Sequence, residues 1–147
     1  MSPFTKHYLK FMGIAATPVL LFLVAVFGGI PLLSHYAAEE GTFYAPSFSK
    51  AGFSAIKAGD GIEEVYRLVG EPLYVLLPQM DERGLPIGNL KEQDVSLSRV
   101  KEFDARNRDK GIRLFYSDLK PGEGSNYYYS VSIRSDRVME VRKEYVD

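Results

Sequence analysis

Apolar and polar positions along the 147-residue chain fall into three regimes. From Phe11 to Leu33 the sequence FMGIAATPVLLFLVAVFGGIPLL carries no charge over 23 residues. Wound as a helix it would be about 35 Å long, against a hydrocarbon core of about 30 Å. Between residues 55 and 78 the pattern becomes helical, with Ile62, Val65, Tyr66 and Val69 at i, i+3, i+4 and i+7. Asp60 suits the N-cap, and Glu63 three positions later has capping-box spacing. Gly70 falls at the C′ position and Pro72 prevents continuation. A strand follows over 73–77, closed by Pro78, and a weaker helical pattern covers Phe48–Ile56. Beyond residue 111 the period drops to two. Ile112–Ser117, Asn126–Arg134 and Val138–Val146 alternate between turn-forming stretches. In the second of these, Tyr127, Tyr129, Val131 and Ile133 share one face; in the third, Met139, Val141 and Tyr145 do.

The uncharged run predicts a membrane segment at 11–33. Lys6 and Lys10 precede it and Glu39 and Glu40 are the first charges after it, so the positive-inside rule puts residues 1–10 in the cytoplasm and the rest of the chain on the far side. A retained signal anchor fits the length of the run, and a cleaved signal peptide is the competing reading. The domain is exported in either case. Residues 34–48 read as a tether, with a sharper alternative in which this segment adds itself to a partner's sheet edge. Residues 79–111 mix turn formers with charges of both signs and read as a solvated, charged insertion. Residues 49–147 are therefore expected to form an α+β domain: one or two short helices packed on a three- to four-stranded antiparallel sheet, preceded by an N-terminal transmembrane helix. One sheet face should be covered by helix and the other left open.

Composition narrows the chemistry. There are no cysteines, so disulfides, thiolate catalysis, cysteine-bound zinc and an acylated N-terminal cysteine are excluded. The only histidines are His7 and His35, which leaves the exported part without a histidine triad or a histidine metal site. A net charge of −1 supplies no basic field for nucleic acid. Glu63/Glu64, Asp81/Glu82 and Asp118/Glu123 could supply paired carboxylates, but they sit in a helix's first turn or in expected loops, where solvated surface is the simpler reading. No catalytic residue, cofactor or metal is expected, and the domain reads as a non-enzyme. Aromatic residues reach 13%. Tyr128, Arg134 and Arg142, on the polar sides of their strands, form a candidate partner-contact patch, because Tyr and Arg favour interfaces.

The order of these signals resembles the SmpA/OmlA (BamE-like) domain family. Its Gly-Met/Asp-x-x-x-x-Val-x-x-Leu-x-Gly-x-Pro pattern falls on Gly59, Asp60, Val65, Leu68, Gly70 and Pro72. Its tyrosine strand and following turn fall on Tyr127–Ile133 and Asp136–Val138. The likeness covers roughly 50–78 and 112–146, without the lipoprotein cysteine of known members. It implies an α+β domain with helices on an antiparallel sheet, and a non-catalytic envelope role like that of accessory factors in outer-membrane protein assembly. The implied partners are the lipid bilayer, through residues 11–33, and other envelope proteins. The alternative is an exported ligand-binding or inhibitory domain of similar fold.

Overall fold

A computed structural model describes Phe22 and residues 30–146. The chain divides into two compact units, Met1–Ala37 and Ala38–Asp147. The described part of the first consists of Phe22 and most of helix α1 (Ile30–Glu40). The second holds β1 (Thr42–Tyr44), α2 (Lys50–Ala55), α3 (Ile62–Val69), β2 (Tyr74–Met80), β3 (Pro86–Glu92) and α4 (Leu97–Arg106). It continues with β4 (Ile112–Phe115), β5 (Ser117–Leu119), β6 (Asn126–Arg134) and β7 (Arg137–Val146). Five strands form one antiparallel sheet in the order β3-β2-β4-β6-β7, and β1 pairs with β5 in a second, two-stranded sheet.

The expected architecture needs correction at three points. The main sheet has five strands rather than three or four, and the described residues form four helices rather than one or two. No helix among the described residues is long and apolar enough to cross a membrane. Apart from Phe22 and its last few residues, the 11–33 run lies outside the described residues, as does the tail at 1–10. From Ile30 the chain is helical through to Glu40, beyond the apolar run's end at Leu33.

The extra elements come from stretches read as irregular. The 79–111 stretch holds the end of β2, all of β3 and the ten-residue α4, whose Val100 and Phe103 are buried. The expected tether supplies β1 and packs Tyr44 against Phe48 with ring centroids 5.1 Å apart. Strand β1 pairs within the chain, with β5, and the two make a separate two-stranded sheet. Pro78 does not end β2. It lies past the residues that pair with β4, Tyr74–Leu76, where β2 has one strand neighbour and a missing N–H is tolerated.

The core lies between α2, α3 and α4 and one face of the main sheet. Cross-strand partners Val75, Leu114, Val131 and Val141 run across four strands on that face, with Ile112, Ile133 and Val138 forming a second row. Phe53, Ile62, Val65, Val69, Val100 and Phe103 cover them from the helices. Strand β7 departs from simple alternation. Ile133 pairs with Val138 and Ser132 with Glu140, so Met139 is the extra residue of a β-bulge. Val138 and Val141 consequently both face inward, whereas Met139, expected on the apolar face, is 54% exposed.

The GDG motif at 59–61 is also built differently from its sequence reading. Gly61, not Asp60, caps α3, and no side chain bonds the first turn. Asp60 Oδ2 instead accepts from the Lys57 backbone N–H at 2.7 Å. Glu63 reaches away to pair with Lys101 of α4, so the capping box does not form. Backbone bonds from Gly59 N–H to Val138 and from Val138 N–H to Asp60, both 2.8 Å, clamp the motif to β7. Pro72 is buried at the start of the segment leading into β2.

Candidate functional site

The face of the main sheet opposite the helices carries the polar registers of all five strands. One row runs Lys91, Leu76, Arg113, Ser132 and Glu140; the next runs Tyr74, Phe115, Ser130 and Arg142. Tyr128 lies beyond the second row, opposite Glu144. The face divides into an aromatic end and a basic end.

At the aromatic end Tyr74 and Phe115 stack with centroids 4.9 Å apart, and Tyr128 meets Phe115 edge-on at 5.9 Å. Lys91 Nζ sits 3.6 Å from the Tyr74 ring centroid and 3.0 Å from Asp118 Oδ2. The Tyr128 hydroxyl donates to Asp118 Oδ1 at 3.4 Å. Burial, reinforced by the Asp118 charge, pushes the Tyr74 hydroxyl above the usual phenol range. Tyr74 and Phe115 are themselves buried, so this end is a closed, internally satisfied cluster.

The basic end is a concavity of about 370 Å³ between the β2–β3 hairpin and strands β4, β6 and β7. Arg113, Arg134 and Lys110 line it, with Leu76, Pro78 and Met139 among the apolar side chains. Gly111 lets the chain leading into β4 lie flat against β6. Its φ is +75°, and a Cβ there would stand 2.6 Å from the Ile133 carbonyl oxygen.

The three expected contact residues therefore share a face without forming one cluster. Arg142 is held between Glu140, 2.6 Å away, and Glu144, 3.1 Å away. Tyr128 belongs to the aromatic cluster. Arg134 lines the concavity, about 20 Å along β6 from Tyr128 at roughly 3.3 Å per residue. Sequence reasoning missed Lys110, Arg113 and Asn89, all in this lining. The alternation of Ile112, Arg113 and Leu114 signalled that Arg113 faces away from the core; its neighbours across the sheet did not follow from local pattern.

The carboxylates considered as pairs are engaged separately, Asp118 with Lys91. Glu63 pairs with Lys101 while Glu64 pairs with Arg67, and Asp81 accepts from the Arg83 and Leu85 backbone N–H groups to shape the β2–β3 turn. Among the described residues no group of three or more His, Cys, Asp or Glu side chains is placed to hold a metal ion. A second cavity, of about 410 Å³, is bordered by Lys101, Asp104 and Arg108. Asp104 is buried, and its Oδ2 accepts from the Asp136 backbone N–H at 2.6 Å. That bond ties α4 to the turn between β6 and β7.

No family model matches this chain, and no curated protein or solved structure matches it. The likeness to SmpA/OmlA domains rests on the residues quoted above.

Proposed function

We propose that this chain is a non-catalytic protein-interaction module of the cell envelope, held at a bilayer through the apolar run at 11–33. The observation that supports the reading is the β2–β3 hairpin. It extends past the end of β4, which pairs only with Tyr74–Leu76, and leaves β3 as a free edge. Six of the seven β3 residues are exposed, with Ile87 at 65% and Leu90 at 43%, and Leu85 in the adjoining turn is 58% exposed. A free edge with exposed apolar side chains offers main-chain hydrogen bonds and apolar contacts to an added strand. Both edge strands carry charge and a bulge, at Ile87 in β3 and at Met139 in β7, so it is the exposed apolar side chains of the hairpin that argue for a partner.

The likeness to SmpA/OmlA domains supports the envelope setting and makes proteins of outer-membrane assembly the first candidates. The test is in-cell photo-cross-linking from the full-length chain with a photoreactive residue at position 87, compared with one at exposed position 67 on α3. Envelope proteins captured from position 87 and not from 67 are the expected result. Capture of the same proteins from both positions, or of none, would remove the hairpin from the reading. The alternative of a ligand-binding domain is favoured by a separate observation, the basic concavity.

A further inference from the structure

We propose that the basic end of the open sheet face binds a small organic anion carrying two or more negative charges, of the phosphomonoester or dicarboxylate class, with an apolar portion. This inference does not depend on the hairpin's docking role. Arg113 stands opposite Ser132, and Arg134 is two residues further along β6, a diagonal relation that places Cα atoms about 7–8 Å apart. Gly111 brings Lys110 to the same rim, through a backbone approach that a Cβ would block. Arg113 is half-buried, and Lys110 and Arg134 are exposed.

What sets this cluster apart is that three cations without ion pairs line one concavity. Elsewhere some arginines and lysines pair with carboxylates, Arg67 with Glu64, Lys101 with Glu63, Arg99 and Arg106 with Glu102, while Lys57, Arg83, Arg108, Lys120 and Arg137 have no ion pair among the described residues. Lys110, Arg113 and Arg134 have no carboxylate within ion-pair distance among the described residues. Glu140 is the one acid in the lining, and Arg142 holds it. Three like charges gathered on one wall repel one another, so the arrangement favours an anion that none of the domain's described carboxylates supplies.

The remaining lining sets the ligand's other half. Leu76, Pro78 and exposed Met139 supply apolar contact, while Asn89 and Ser132 add neutral hydrogen-bonding groups. A volume of about 370 Å³ suits a small molecule, at the lower end of the roughly 300–1,000 Å³ typical of ligand sites.

Calorimetric titration of the full-length protein in a neutral maltoside tests the proposal, with phenyl phosphate, inorganic phosphate and uncharged benzyl alcohol as probes. Phenyl phosphate should bind saturably at one site. Removing one charged partner should weaken it about tenfold in Arg113→Gln and in Arg134→Gln, with the melting temperature unchanged, while Arg67→Gln should have no effect. Should a variant fail to fold, raising the salt from low to high with the native chain should still weaken binding, because these cations are near the surface. An unsaturable titration, salt-independent binding, or equal loss in Arg67→Gln would overturn the site. Binding of inorganic phosphate as tight as that of phenyl phosphate, or of benzyl alcohol alone, would overturn the assignment of an organic anion.

Discussion

Gly70 shows how one residue can carry two independent constraints. Its φ of +74° and ψ of −157° lie in a region that side-chain-bearing residues avoid, beyond the ordinary left-handed helix cap expected for it. A Cβ there would also stand 2.4 Å from Ser47 Cβ, across the chain entering α2. Its N–H still closes α3 by donating to the Tyr66 carbonyl at 2.8 Å. Gly70→Val should therefore destabilise the domain by about 2–5 kcal/mol, combining backbone strain with overpacking. Urea denaturation measures this, and Ser47→Gly in the same chain should restore only the packing part. An unchanged midpoint would contradict this backbone at Gly70. The glycine was legible because a helical period stops one residue before it; the clash with Ser47 was not, since the two are 23 positions apart.

Among the elements, α4 and β3 were the ones hidden in the sequence. Only Leu97, Val100, Phe103 and Ala105 are apolar in the ten residues of α4, so its buried stripe is narrow and the surrounding charges dominate the pattern. Strand β3 has almost no buried side chain, and a strand without an inward face shows no alternation to read. Helix α4 also carries a constraint on β6 and β7. Their two-residue connection, Ser135–Asp136, has positive φ at both positions, 50° and 63°, as a type I′ turn requires. Asp104 accepts the Asp136 N–H at 2.6 Å and holds that turn without glycine. Asp104→Ala should destabilise by about 1–3 kcal/mol, because it leaves the part-buried Asp136 N–H unmatched. Asp104→Asn, which keeps an acceptor, should lose less. Equal losses by thermal denaturation would show that the carboxylate's charge, rather than its acceptor oxygen, matters there.

Across the domain as a whole, the end of α1 is joined to the sheet by Glu39. Its carboxylate pairs with Lys50 of α2 and accepts from the Tyr44 hydroxyl at 2.8 Å, and Lys143 of β7 lies 3.9 Å away. Burial acts to raise its pKa, but the hydrogen bonds from Lys50 and Tyr44 outweigh it and hold the carboxyl below its ordinary 4.5. A depressed carboxylate contributes stability fully present above the unfolded value and lost as pH falls through the lower folded one. Glu39→Gln should therefore lower the melting temperature near neutral pH and have progressively less effect below about pH 4.5. A difference that stays constant down to acid pH would exclude this linkage.

The sequence by itself determined the α+β class, α3 with its glycine end, the alternation of β6, and the absence of thiol chemistry and of histidines beyond His35. These are short-range properties, set by periodicity, capping and composition within about ten residues of each position. Only the tertiary structure decided that the segment after the apolar run continues as helix to Glu40 and then forms β1, that Met139 is a bulge residue leaving the inner face to Val138, and that β3 is a free edge. It also gathers Lys110, Arg113 and Arg134 on one wall, while enclosing Tyr128 and pairing Arg142. The reason is physical. Local pattern says which side of its own strand a residue takes, whereas its neighbours are set by registers between strands distant in sequence, such as Leu76 with Arg113 and Arg113 with Ser132.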